Sequence, residues 1–122
     1  WFLKYIYIIY IMDIYTYKAF VSSVYDGDTI TCDIDCGFGV ILKKQKIRLY
    51  GLNAPEVRGE SKELGIITRD KLRERILNKD IYLKTIKDKK GKYGRYIATV
   101  YIDTENINDW LVENNLAVKA EY

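Results

Sequence analysis

The chain has 122 residues, enough for one folded core and too few for two domains. Its residues are 48% hydrophobic and 30% charged, and the formal net charge of +3 is compatible with a phosphate-bearing partner without demanding one. No histidine is present, which excludes a Ser-His-Asp triad, a Cys-His pair and His-based zinc sites, and leaves acid–base chemistry near neutral pH to carboxylates, Lys, Tyr or a metal-bound water.

In chain order, residues 1–11 are almost all aromatic or Ile, with a single charge at Lys4. The run is too short for a bilayer span, which takes about 20 apolar residues, and no small-residue cleavage site follows it. Neither a transmembrane helix nor a secretory signal is expected, and the compartment stays open between cytoplasm and exterior. Met12 is the only methionine and is read as the natural start, with residues 1–12 an apolar N-terminal extension and residues 13–122 the domain; the rival reading of the apolar stretch is the remnant of a membrane anchor or signal.

Residues 15–25 are rich in β-formers and predict a first strand. Asp26-Gly27-Asp28 predicts a turn in which Gly27 is free to take a positive φ. Residues 29–34 alternate and predict a second strand, and the glycine-punctuated stretch 35–39 a hairpin connection. Cys32 and Cys36 flank that hairpin and are read as free thiols, since two thiols without histidine make a poor zinc site. Residues 40–51 predict a third strand with a basic middle at Lys43, Lys44 and Lys46. Pro55, the only proline, pushes Ala54 into an extended conformation and breaks the chain there.

Residues 60–78 predict a helix with Leu64, Ile67, Leu72, Ile76 and Leu77 on its inner stripe; Gly65 weakens it. Residues 81–86 predict a fourth strand, 88–94 a basic loop, 95–102 a fifth strand, and 106–115 a second helix with Ile107, Leu111 and Val112 inward. The pattern of three strands, helix, two strands and helix predicts a β-rich α+β fold. It suits a five-stranded OB-fold (Greek-key) barrel with a helix between strands three and four and a second, C-terminal helix.

Four segments place polar side chains at strand ends or turns: Asp26-Gly27-Asp28-Thr29, Ile47-Arg48-Leu49, Asn53-Ala54-Pro55-Glu56 and Lys92-Tyr93-Gly94-Arg95. Phosphodiester cleavage needs a steered water, neutralised phosphoryl charge and in-line positioning. Oxygen donors such as Asp28 and Asn53 suit a hard cation, arginine grips phosphate with two donors, and a glutamate can take a proton from water. Each segment alone is as well explained by a solvated turn or a loop exit.

In combination and order, these segments resemble the signature of the staphylococcal nuclease family over about residues 17–121. Asp26-Gly27-Asp28-Thr29 is similar to its opening metal-binding turn, and Arg48 through Glu56 to its next block. Lys92-Tyr93-Gly94-Arg95 is similar to its second arginine loop, and Trp110-Leu111-Val112 with Leu116-Ala117 to its late helix and tail. The resemblance implies one calcium ion held by Asp28, Asn53 and the backbone carbonyl of Ala54, with Asp26 supporting these ligands. It implies Glu56 acting on the attacking water, Arg48 and Arg95 binding the phosphate, and Lys92 and Tyr93 contacting a neighbouring phosphate. The implied activity is an endonuclease of DNA and RNA that prefers single strands and leaves 3′-phosphate ends; no oligomer signal is visible in the sequence, so a monomer with no protein partner is expected.

The family has aspartate where this chain has Asn53, which removes one negative charge from the site and implies weaker calcium binding. The alternative is a catalytically weakened OB-fold module that binds single strands through Tyr25, Tyr93 and a basic face.

Overall fold

A computed structural model describes residues 14–90 and 94–120. Five long strands close into a barrel: β1 (Thr16–Asp26), β2 (Thr29–Asp35), β3 (Ile41–Leu49), β5 (Asp80–Lys90) and β6 (Tyr96–Ile102). They run in the order β3-β2-β1-β5-β6, and a parallel pairing of β3 with β6 completes the circuit. Short strands β4 (Leu52–Asn53) and β8 (Val118–Lys119) pair with each other, and β7 (Glu105–Asn106) extends β6 as a hairpin. Helix α1 (Lys62–Ile76) lies between β4 and β5, and helix α2 (Ile107–Glu113) follows β7. This is the expected OB-like α+β barrel with two helices. The expected extension over residues 1–12 lies outside the described residues. No described helix is long and apolar enough to cross a membrane.

Period-2 alternation builds the barrel interior. Ile30, Cys32 and Ile34 of β2, Ile47 and Leu49 of β3, Ile81 and Leu83 of β5, and Ala98 and Val100 of β6 are all buried. In β1 the rule bends: Val21 and Val24 are both buried although three residues apart. The β1–β2 register shifts between Val21 and Ser23 and again between Val24 and Asp26, so Ser22 and Tyr25 are extra residues in two bulges. The first bulge resets the alternation; the second turns Tyr25 outward at the mouth of a turn.

The helices complete the core. The inward stripe of α1 is Gly65, Thr68, Leu72 and Ile76, whereas Leu64 and Ile67, expected inside, are exposed. The stripe is displaced because the helix sets Gly65 against the loop after β4 and Thr68 beside Gly27 of the β1–β2 turn, where large side chains would not fit. Gly65 is therefore required rather than merely tolerated: a Cβ on it would stand 2.1 Å from the backbone carbonyl oxygen of Glu56. Thr68 donates from Oγ1 to the carbonyl of Leu116 at 2.7 Å, which ties the C-terminal tail to α1. Arg73, on the partly exposed flank, donates through Nε and Nη2 to the carbonyl of Val24 (3.2 and 3.0 Å), beside the second bulge. Ile107 and Leu111 of α2 are buried as expected, with Val112 half-buried.

Three further expectations are corrected. Gly27 does not adopt a positive φ; it is glycine because a Cβ would meet Thr68 Cγ2 at 2.4 Å and Ala54 Cβ at 2.6 Å. The fourth long strand does not end near residue 86 but continues to Lys90, where it pairs with Tyr96, so part of the expected loop is strand. The third strand is Ile41–Leu49, shorter at each end than the expected 40–51, because residues 50 and 51 turn with Gly51 at φ 81°. Cys32 and Cys36 are free thiols, as expected.

Candidate functional site

Strand pairing delivers the polar residues to one place. Asp26 faces Thr29 across the β1–β2 pair, and Thr29 faces Arg48 across β2–β3. These three form an outward row across the sheet, because their apolar neighbours Val24, Ile30, Ile47 and Leu49 point into the barrel. The parallel β3–β6 pairing sets Ile47 beside Tyr96, and so carries Arg95, one residue before Tyr96, to the same end of the barrel as Arg48. Gly27 lets the turn approach Ala54, and Gly65 lets α1 approach Glu56.

The result is an open polar cleft of about 700 Å³ lined by Asp26, Asp28, Arg48, Asn53, Ala54, Glu56 and Arg95, together with Ser23, Tyr25, Thr29, Thr31 and Lys46. A tighter apolar cavity of about 310 Å³, lined by residues that include Tyr17, Ile34 and Leu42, carries no carboxylate or cation and is unsuited to a phosphate.

A hydrogen-bonded network organises the cleft. The Asp28 amide donates to Asp26 Oδ1 at 3.0 Å, which shapes the turn. Asp28 Oδ2 accepts from the Ala54 amide at 3.0 Å and lies 3.5 Å from Arg48 Nη2. Thr29 Oγ1 donates to Asp28 Oδ1 at 3.1 Å and accepts from Arg95 Nη1 at 3.2 Å. Arg48 donates from Nη1 to the Leu49 carbonyl at 2.8 Å and from Nη2 to Asn53 Oδ1 at 2.6 Å. The Arg48 and Asp28 side chains are only 11% and 14% exposed, so the ion pair is poorly screened by water. Burial, then the hydrogen bond and negative charge of Asp28, push the Asp26 carboxyl up to about 6. Glu56 lies exposed on the rim, on a loop whose backbone accepts from Ser61 Oγ at 3.1 Å.

The seven expected residues from Asp26 to Glu56 and Arg95 thus share one cleft. Lys92 and Tyr93 lie outside the described residues. Sequence reading passed over Thr29 as a bridge between Asp28 and Arg95, and over Ser23, Thr31 and Lys46 as cleft residues. Strand alternation was the available signal for the last three, but it was usable only once the bulges and pairing were known.

A profile of the staphylococcal nuclease homologue family matches residues 46–122. The chain belongs to the staphylococcal nuclease family. Among relatives, a thermonuclease of Staphylococcus hyicus is 33% identical over 109 residues, covering 84% of this chain and 57% of the relative. An uncharacterized endonuclease of Haemophilus influenzae is 31% identical over 97 residues (80% and 49%), and a thermonuclease of Staphylococcus intermedius 29% over 100 residues (80% and 56%). The chain spans about half the length of these family relatives.

The donor chemistry of the cleft fits a hard divalent cation such as calcium. Asp28, Asn53 and the Ala54 carbonyl offer only oxygen, with Asp26 adjacent. Among the described residues no three acidic, cysteine or histidine side chains gather as a ready-made metal cluster, so much of the ligand set would be neutral. Asn53 Oδ1 also already accepts from Arg48, so a cation and the guanidinium compete for one oxygen.

Proposed function

We propose that this chain is a calcium-dependent endonuclease that hydrolyses phosphodiester bonds of DNA and RNA, prefers unpaired strands and leaves 3′-phosphate ends. The observation that carries the reading is the meeting of two guanidinium groups, Arg48 and Arg95, with the Glu56 carboxylate in one open polar cleft organised around Asp28.

The chemistry follows from the groups present. Arg48 and Arg95 neutralise the phosphate oxygens and favour the extra charge of the transition state. Glu56, exposed to solvent on the rim, accepts a proton from the attacking water. The water oxygen bonds to phosphorus as the bond to the 5′ oxygen breaks, and that oxygen departs as a hydroxyl with a proton taken from solvent water in the open cleft. Asp28, Asn53 and the Ala54 carbonyl would hold calcium, with Asp26 supporting them; bound there, the ion supplies positive charge to the same phosphate. Lys92 and Tyr93 are assigned to a neighbouring phosphate. An unpaired strand suits the cleft because its backbone can enter between side chains of several strands without a partner strand in the way.

A second reading, a module that binds single strands without cutting them, is favoured by the bond between Arg48 and Asn53, which occupies a proposed ligand oxygen. Incubating the chain with denatured DNA, with calcium and then with a chelator, separates the two. Calcium-dependent cutting that falls by about a hundredfold or more in Glu56→Gln and in Arg48→Ala is the expected result. Binding without cutting at high calcium would overturn the enzyme.

A further inference from the structure

The outward face of the β1–β2–β3 sheet carries two parallel rows of polar side chains. The first, Asp26–Thr29–Arg48, belongs to the proposed catalytic cleft. An inward row, Val24–Ile30–Ile47, follows and is fully buried. The next outward row is Ser23–Thr31–Lys46: Ser23 pairs with Thr31, and Thr31 with Lys46. All three line the same cleft as Arg48.

Lys46 is exposed, and no carboxylate among the described residues pairs with it. Its neighbour Lys43, by contrast, lies 3.7 Å from Asp33. Residues two apart on a strand are separated by about 7 Å, a spacing comparable to that of successive phosphates along a nucleic-acid strand. Between the two rows the second bulge turns out Tyr25, which is 51% exposed and lines the cleft. An exposed aromatic ring beside a cation is the pairing that holds single-stranded nucleic acid, the ring stacking a base and the cation meeting the phosphate.

We propose that Lys46, Thr31, Ser23 and Tyr25 form a second nucleotide subsite, which binds the phosphate and base adjacent to the bond being cut. The proposal rests on the nuclease reading of the first row and extends it: the substrate is a strand of several nucleotides laid across β1–β3, not a single phosphodiester. Lys46 meets a flanking phosphate other than the one assigned to Lys92 and Tyr93, the hydroxyls of Ser23 and Thr31 donate to its oxygens or to the sugar, and Tyr25 stacks the base.

The test uses a fluorescent ten-nucleotide oligothymidylate and a dinucleoside monophosphate, which lacks the neighbouring phosphate. Binding of the oligonucleotide is followed by anisotropy with chelator present, across a salt series, and cleavage of both substrates with calcium. Lys46→Gln is expected to weaken oligonucleotide binding about 3- to 10-fold and to lower the salt slope by about 0.7. It should raise KM for the oligonucleotide at least about threefold more than for the dinucleoside monophosphate. Lys46→Arg should restore most of the affinity, Tyr25→Leu should weaken binding about fivefold or more, and Lys43→Gln should leave binding and cleavage at the parent level. Parent-like affinity and slope in Lys46→Gln, or equal losses on the two substrates, would overturn the subsite while leaving the nuclease standing. A parent protein that binds the oligonucleotide with this Lys46 dependence but cuts neither substrate would sink the nuclease and keep the subsite as a binding surface. A parent protein that neither binds nor cuts sinks both.

Discussion

Gly65, in the first turns of α1, lies against the backbone of Glu56: a Cβ placed on it would stand 2.1 Å from the Glu56 carbonyl oxygen and 2.8 Å from the Val57 amide nitrogen. The obstacle is backbone, not the end of a flexible side chain, so it yields only if the loop or the helix moves. Replacing a helical glycine by alanine ordinarily stabilises by about 1 kcal/mol. Here Gly65→Ala is expected to destabilise by about 1–3 kcal/mol through overpacking. It should also reduce cleavage beyond any loss of folded protein, because the loop that moves carries Glu56. Urea unfolding and the activity of the folded fraction check this; a more stable variant would refute the close-contact argument.

Asn53 is engaged by the Arg48 guanidinium at 2.6 Å, and Arg48 also faces Asp28 at 3.5 Å. In Asn53→Asp the side chain becomes a carboxylate, which adds the negative charge that a hard divalent cation favours. It also strengthens the bond to Arg48, so the gain is partly offset by tighter competition. The net expectation is tighter calcium binding and cleavage at lower calcium, read by calorimetric titration and by activity against calcium concentration. Unchanged affinity would remove Asn53 from the ligand set.

Cys32 is fully buried between Thr31 and Asp33, and burial, with a smaller contribution from the Asp33 charge, pushes its thiol up to about 12 from an ordinary 9.0. Above pH 9.0 the unfolded thiol loses its proton while the folded one keeps it. Its contribution to stability is therefore complete below that pH and is lost as pH rises through the window towards about 12, at no more than about 1.4 kcal/mol per pH unit. The stability difference between the parent and Cys32→Ala, measured by urea unfolding, should shrink from pH 8 to about pH 10.5. A difference that stays constant over that range would show the thiol to be freely ionisable. Native-state alkylation should accordingly modify Cys36 ahead of Cys32.

Asn108 is 5% exposed and joins three chain segments. Its Oδ1 accepts from the Val100 amide at 3.0 Å, and its Nδ2 donates to the Tyr50 carbonyl at 2.9 Å and the Ala98 carbonyl at 3.3 Å. Asn108→Ala would strand buried backbone groups at a cost of about 1–3 kcal/mol each where water cannot reach them. A total loss of about 3 kcal/mol is expected, with cleavage by the folded fraction retained because Asn108 lies outside the cleft. Thermal unfolding and activity below the melting point test both halves.

Much of this protein could be read from the chain because the signals were local. Period-2 alternation in residues 29–34, the turn at Asp26-Gly27-Asp28 and the breaker at Pro55 are consequences of backbone geometry acting over a few residues. The order of strands and helices then restricts the barrel to few topologies. Asp28, Arg48, Glu56 and Arg95 stood out only together, because the order and spacing of their segments resemble the staphylococcal nuclease signature while each segment alone reads equally well as a turn or loop exit. What the chain alone did not reveal depends on surfaces meeting across long sequence distances. Leu64 and Ile67 look as inward as Leu72, yet α1 turns Gly65 to the backbone of Glu56 and Thr68 to Gly27 of the β1–β2 turn. Gly27 reads as a flexible turn residue, yet its role is to leave room for Thr68 and Ala54. Lys46 looks like its neighbours Lys43 and Lys44 until the pairing with Thr31 assigns it to the cleft. Local chemistry chose the elements and the candidate groups; steric contact between distant segments chose which faces meet, and so which of those groups share a site.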